Sequence, residues 1–345
     1  MLPTMTTKTA TSYDYKAATQ QILGELRRDR DRQIIARRFG FGLNKRQTLE
    51  KIGNDFNITR ERVRQIEKAA IAKMRASGSA QIEQSGQLIA ETVRQYGGLA
   101  LITDIAGTLG VDEHDIAYVV FLTLLAGNVE LIEDDDHLRA AAGLLPELGR
   151  SQVSQLLAEI TAAIKEYGKP ITLAKLRTKL TSELETDTLE QLMRASKGLS
   201  YFDGKWGLHT WPEVNPKSIR DKTYLVLSRH GRPLHFSDIA SNVRGLGAAK
   251  RDVTVQAVHN ELIKDERFIL IGRGIYALAE WGYTPGTVAE IISSVLREEQ
   301  PLHKDEIVRR VLMKRQVKTT TIILNLQEKA QFVRTAKATY KLKED

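Results

Sequence analysis

Apolar positions recur at helical spacing near the start of the chain. Ile34, Ile35 and Phe39 stand among Arg and Asp, and the pattern predicts a helix from about 26 to 39 that stops at Gly40 and Gly42. Thr48 is an N-cap candidate for a second, short helix with Leu49, Ile52 and Phe56 turned inward. Asn57 tolerates a left-handed backbone, and Thr59 caps a third helix running to about residue 75. At about 100° per residue, Val63, Ile66, Ala70 and Met74 of that helix fall within about 80° of arc. Arg60, Glu61, Arg64, Gln65 and Lys68 fall on the opposite side.

Beyond residue 80 a second pattern repeats. A helix ends at a turn marked by Gly or Pro, at Tyr96-Gly-Gly98, Tyr167-Gly-Lys-Pro170, His230-Gly-Arg-Pro233 and Glu299-Gln-Pro301. A short helix is expected next, over 102–109, 172–180, 236–243 and 304–313. A third helix and two strand-like runs complete each copy. Pro170, Pro233 and Pro301 are spaced by 63 and 68 residues, which indicates an array of small domains rather than a solenoid. Three helices and a hairpin in such a length match the winged-helix plan.

The pattern therefore predicts a mainly α protein with an N-terminal helix-turn-helix and tandem small winged-helix domains. The expected division is a flexible segment at 1–25, the helix-turn-helix at 26–76, and winged-helix-like units at 84–140, 150–213, 217–283 and 286–343. The small polar run Ala76-Ser-Gly-Ser-Ala80 is the expected boundary after the first domain.

Charge sharpens this. The chain of 345 residues carries a net +8, but residues 27–75 hold 15 basic and 6 acidic side chains, a local +9. Residues 76–216 are net −9 and residues 217–345 net +8. The basic head is the footprint expected of nucleic-acid binding, and the acidic middle suits protein contact. The absence of Cys excludes disulfides, Cys-ligated zinc and thiol catalysis. No apolar run reaches about 18 residues, so a soluble, cytoplasmic, nucleoid-associated protein without membrane contact is expected.

The outward face of the 59–75 helix carries base-reading chemistry. Arg can fork onto guanine, Gln can pair with adenine, and Glu can accept from cytosine. Arg60, Glu61, Arg64 and Gln65 are the expected base contacts. Gln256, His259 and Asn260 on the third helix of the 217–283 unit, with Arg273 at the hairpin tip, read first as a solvated polar face and second as a candidate DNA surface. Arg244, Lys250, Arg251, Arg309, Arg310, Lys314, Arg315 and Lys318 add positive charge suited to phosphates. Glu133-Asp-Asp-Asp-His137 reads as a solvated turn and not a metal site, and Gly245-Leu-Gly-Ala-Ala-Lys250 as a loop. No catalytic constellation, metal or cofactor is expected, and the protein is not expected to be an enzyme.

The stretch from Thr48 to Arg75, with Thr59-Arg-Glu-Arg-Val-Arg-Gln-Ile-Glu67 at its centre, resembles region 4 of sigma-70 family factors, as does the preceding run from Arg30 to Gly40. The resemblance implies that this helix enters the major groove of a promoter −35 element, with Thr48, Leu49, Thr59, Arg62 and Lys68 toward the phosphate backbone. It also implies docking on the β flap of core RNA polymerase through the earlier helix, here assigned to Ile34, Ile35 and Phe39. About 26 residues precede the match, too few for the aromatic-rich region that melts the −10 element in the family, so melting by this chain is not expected. Ala69 and Ala72 replace basic residues that meet activators in many members, and that contact is not expected either.

Two later runs, Gly168-Lys-Pro-Ile-Thr172 with Trp206-Gly-Leu-His-Thr-Trp211, and Gly231-Arg-Pro-Leu-His-Phe-Ser-Asp-Ile239 with Arg273-Gly-Ile-Tyr-Ala-Leu-Ala-Glu-Trp281, resemble the HARE-type winged helix. The delta subunit of bacterial RNA polymerase, Asx-like chromatin proteins and some restriction endonucleases carry that module. The resemblances imply a sigma-like transcription initiation protein that binds double-stranded promoter DNA and core polymerase. They leave open a delta-like polymerase adaptor that reads no sequence, or a targeting subunit of a restriction system.

Overall fold

The computed structural model describes residues 13–43, 45–246, 253–315 and 317–343, so Lys250, Arg251 and most of the 245–250 loop lie outside the described residues. The chain divides into two compact units, 1–210 and 211–345. The first unit opens with four helices, α1 (Tyr15–Gly24), α2 (Asp29–Phe39), α3 (Leu49–Asp55) and α4 (Arg60–Ala76). It continues with α5 (Ala80–Gln95), β1 (Leu99–Leu101), α6 (Ile102–Thr108), α7 (Ile116–Leu125), β2 (Val129–Ile132) and β3 (Ala141–Leu144). Then come α8 (Arg150–Tyr167), α9 (Leu173–Arg177), α10 (Thr186–Ala195), β4 (Leu199–Phe202) and β5 (Lys205–Leu208).

The second unit contains α11 (Ile219–His230), β6 (Leu234–His235), α12 (Phe236–Gly245), α13 (Val255–Lys264), β7 (Phe268–Leu270) and β8 (Ile275–Leu278). It ends with α14 (Val288–Glu298), β9 (Leu302–His303), α15 (Lys304–Lys314), α16 (Thr319–Glu328), β10 (Phe332–Ala336) and β11 (Thr339–Leu342).

After α4 one plan occurs four times: helix, extended segment, helix, helix, hairpin. In three copies the extended segment is a short strand that joins the hairpin's second strand, giving the orders β1-β3-β2, β6-β8-β7 and β10-β11-β9. In the second copy the segment shrinks to a bridge between Ile171 and Trp206 beside β4 and β5. These first strands are two or three residues long, too short to show any alternation in the sequence.

The copies differ in what their third helix does. Helix α7 carries no charged residue, and Tyr118 to Thr123 and Leu125 are all buried. Six of the ten residues of α10 are buried, and the Thr188 hydroxyl donates to the Gly97 carbonyl of the preceding copy at 2.8 Å. Arg139 bonds the Arg194 and Ser196 carbonyls at 2.6 Å, across the same joint. By contrast only Val258 and Leu262 of α13, and only Ile322 and Leu326 of α16, are buried. The 133–137 turn also belongs to the joint: Asp134 pairs with Lys197 at 2.7 Å, and Asp135 accepts from the backbone of His137 and Leu138 and from Arg150.

Two expectations are corrected. The described part of 1–25 is not a loose tail: Asp14 caps α1 by accepting from the Ala17 N–H, and Tyr15, Ala18, Thr19 and Ile22 are buried. Nor does packing break at residue 76. Helices α1, α2, α4, α5 and α7 share one apolar core, in which Ile35, Phe39, Ala70 and Met74 meet Ile89, Val93, Phe121 and Leu122. Phe39 meets Phe121 edge-on at 4.9 Å, and Phe41 stacks on Tyr118 at 4.9 Å. The small residues of 76–80 permit a sharp turn, with Gly78 at φ +61°, and α5 begins at once.

Candidate nucleic-acid interface

The local architecture of α3 and α4 follows from a few residues. Thr48 and Thr59 each sit in extended backbone and accept from the N–H three residues on, at 3.2 Å. This satisfies one of the donors every helix start leaves open. Between the helices, Asn57 is left-handed at φ +53°, and the Ile58 N–H bonds the Gly53 carbonyl at 2.9 Å. Gly53 is buried there, and a Cβ in its place would lie 2.6 Å from the Ile58 carbonyl oxygen. Beneath the turn Ile34, Ile52, Val63 and Ile66 form a small core, with Leu49, Phe56 and Ile58 at its edge.

Ion pairs tie α2 to α4 and to α3. Arg38 holds Glu67 at 3.0 Å and also donates to the Gln47 carbonyl at 3.2 Å. Arg37 holds Asp55 at 2.7 Å and lies over the Phe56 ring. The Arg38–Glu67 pair is partly shielded, which makes it more useful for orientation than the exposed Arg37–Asp55 pair.

The outer face of α4 is open. Arg60, Glu61, Arg64, Gln65 and Lys68 are all exposed, on the side opposite buried Val63, Ile66, Ala70 and Met74, and Arg62 is exposed at the flank beside Ile66. Two pairs organise it. Arg64 grips Glu61 with both nitrogens, at 2.7 and 3.0 Å, and Arg62 donates to the Gln65 amide oxygen at 3.2 Å. The hydrogen bonds and charge of Arg64 hold the Glu61 carboxyl below the usual carboxylate range. Among the described residues Arg60 and Lys68 make no ion pair within 4 Å, although the charge of Arg60 also helps to lower the Glu61 carboxyl. The result is a polar surface of guanidinium, carboxylate and amide groups fixed on a rigid helix and free to meet a groove.

Thr48 is exposed at the start of α3, as expected of a backbone contact. Leu49 differs: its side chain is half-buried at the core edge, so a contact there would use its backbone N–H. Ile34, Ile35 and Phe39 are corrected as partner contacts, because they are 0, 0 and 6 % exposed and serve two internal cores. The surface beside them is an open groove lined by Ala36, Phe41 and Leu43, with Gln33, Arg37, Gln47, Lys51 and Asp55 around it. A second cleft runs along α4, where Arg27, Arg28 and Lys73 join Arg62 and Gln65. Sequence reasoning passed over those three cations. The Arg27-Arg28 pair was the available signal, but its place beside α4 depends on the α2 packing.

In the second unit Gln256 and Asn260 are exposed on α13 and bond each other at 2.9 Å, and Arg273 is exposed at the β7–β8 turn. His259 is corrected as a surface reader: its half-buried ring packs on Phe236 at 4.7 Å and near Tyr276. Among the described residues no group of His, Asp and Glu is arranged to hold a metal ion, and no helix is long and apolar enough to cross a membrane. Residues 28–76 match the family model described as Sigma-70, region 4, and this segment of the chain is accordingly a DNA-binding helix-turn-helix of the sigma-factor type.

Proposed function

We propose that the protein is a sigma-like transcription initiation factor that reads a −35-type promoter element through α4 and associates with core RNA polymerase. The observation that carries the reading is the outer face of α4, where Arg60, Glu61, Arg64 and Gln65 are all exposed. Arg60, Arg64 and Gln65 supply fork-like and amide contacts, and Glu61 selects a cytosine amine. Arg62, Lys68, Arg27, Arg28 and Lys73 neutralise phosphates on either side. The four repeats after α4 are read as winged-helix modules of the HARE type. In this reading the protein is a binding protein of the cytoplasm and nucleoid and performs no chemical step. The polymerase contact falls on the groove of Ala36, Phe41 and Leu43, not on the buried Ile34, Ile35 and Phe39.

Selection of duplexes from a random pool, with and without core polymerase, tests this. One enriched motif should emerge. Arg60→Ala and Gln65→Ala should each relax preference at one position by about 1–3 kcal/mol. Equal losses on the selected and random duplexes would contradict base reading by α4. Capture of core polymerase with no duplex preference would favour the adaptor reading. Leu43→Asp should abolish that capture and leave duplex affinity unchanged.

A further inference from the structure

The four repeats share one topology, so their hairpins can be compared position for position. The first, 129–144, carries five carboxylates and one Arg, and its acidic turn is consumed by the joint with Lys197 and Arg150. The second, 199–208, has one acid and one base, and the third, 268–278, has Arg273 alone. The fourth, 332–342, has Arg334, Lys337 and Lys341 and no acid, and Lys329 and Lys343 flank it. Charge thus climbs from −4 to +3 along equivalent elements of one chain.

Pairing separates these cations from their neighbours in the same repeat. On α15, Arg309 and Arg310 both hold Glu306 at 2.6 Å, Arg310 also holds Glu299, and Lys314 holds Glu298. Two arginines hold the Glu306 carboxyl down at about 2. Those side chains were expected to meet phosphates and are instead occupied by carboxylates. Among the described residues the side chains of Lys329, Arg334 and Lys337 make no ion pair, and all three are exposed. The Arg334 guanidinium donates only to the Ala336 carbonyl, at 3.1 Å. The turn between the strands is held in an unfavourable shape as well, since Ala338, which has a Cβ, sits at φ +60°. Strain of this kind persists where the surrounding structure enforces it and gathers at functional turns.

We infer that the β10–β11 hairpin of the last repeat is a second, sequence-independent contact for the phosphate backbone of double-stranded DNA, made by Lys329, Arg334 and Lys337. Exposed cations with no internal counter-ion are the groups that release condensed counterions on binding, and they gain most from a polyanion. Duplex DNA is the occupant because α4 of the same chain presents base-reading groups. A duplex engaged there brings its own flanking phosphates to high effective concentration near a tethered second contact. The proposal rests on the DNA-binding reading only for this choice of polyanion.

The experiment uses the full chain and a fluorescent random-sequence duplex, titrated from about 50 to 300 mM salt. The triple variant Lys329→Gln, Arg334→Gln, Lys337→Gln should bind about tenfold or more weakly at the lowest salt and lose roughly 2–3 from the slope of log affinity against log salt. It should lose the same factor on every sequence. Lys169→Gln, Lys175→Gln, Lys179→Gln removes the same net charge from the second repeat, where the three ammoniums surround Tyr167. That variant should keep the wild-type slope. An unchanged slope in the hairpin variant overturns the proposal, and so does an equal loss in the Tyr167 control, which would reduce the effect to net charge. Loss of binding to phosphatidylserine vesicles with duplex binding intact would overturn it too. The same titration in an Arg60→Ala, Gln65→Ala background separates the two readings: failure of base reading shows as no preference among sequences, failure of the hairpin contact as no change in slope.

Discussion

At the scale of the residue, the α4 surface is already wired before any partner arrives. The Arg64 fork is filled by Glu61, so Arg64 must trade one acceptor for another when it meets a base. Glu61→Gln weakens that competitor and removes a negative charge from the approach of phosphates. Affinity for random duplex should rise severalfold while discrimination at one base pair falls; fluorescence anisotropy on paired duplexes checks both. Because Arg64 holds the Glu61 carboxyl below its ordinary range, it stays ionised at every pH above that range. Sequence preference should therefore be the same at pH 5.5 and pH 8, and a shift between them would mean that another group governs it. Gly53 is the other decisive residue. A Cβ there meets the Ile58 carbonyl, so Gly53→Ala must open the turn, at a cost of about 1–3 kcal/mol, and should lower duplex affinity through misplacement of α4. Thermal melting beside the anisotropy measurement tests the link. The residues of this face were legible in the sequence because a helical wheel needs only spacing. Their mutual pairing was not, because rotamers at i and i+3 depend on which acceptor lies nearer.

At the scale of the element, spacing gave the repeats well and their joints poorly. The expected strand run at 129–132 coincides with β2, and the second helices begin where the Pro- and Gly-marked turns placed them. Strands β1, β6 and β9 were missed, since two or three residues carry no period. The burial of α7 and α10 by neighbouring elements was equally invisible: an apolar helix looks the same whether it packs within a domain or between two. The loop between α9 and α10 shows how such units are closed. Glu159 of α8 accepts from the N–H and hydroxyl of both Thr181 and Ser182, at 2.6–3.1 Å. Those donors hold its carboxyl at about 2. A depressed folded value means the stabilisation is complete above the ordinary Glu range near 4.3 and is lost as pH falls toward 2. Glu159→Gln should cost about 1–2 kcal/mol at pH 7, at the modest end because the carboxylate is half exposed. Urea midpoints of variant and wild type should converge between pH 4.5 and 2.5. A gap that stays constant over that range would show that the charge of Glu159 contributes nothing.

At the scale of the molecule, the fusion of head and first repeat decides how the polar face of α4 behaves. A linker of small polar residues suggested two domains that fold apart, while the helix-turn-helix was legible as a motif from its caps and helical spacing alone. Yet Phe39 and Met74, on the inner faces of α2 and α4, complete a core whose centre is Phe121 of α7. Arg75 also reaches across to the Leu124 carbonyl at the end of α7. The motif borrows its stability, because Ile34, Ile52, Val63 and Ile66 alone form too small a core to offset the entropy of ordering three helices. Phe121→Ala, although far from the α4 polar face in sequence, should therefore cost about 3–5 kcal/mol. That loss should fall on α4 and on α5–α7 together. Hydrogen exchange resolves the two cases. If head and repeat are one cooperative unit, amides of α4 and α7 lose protection by the same factor in the variant, and one thermal transition moves down. Protection in α4 that survives while α7 opens would mean the head stands alone and that its contacts with Phe121 are incidental.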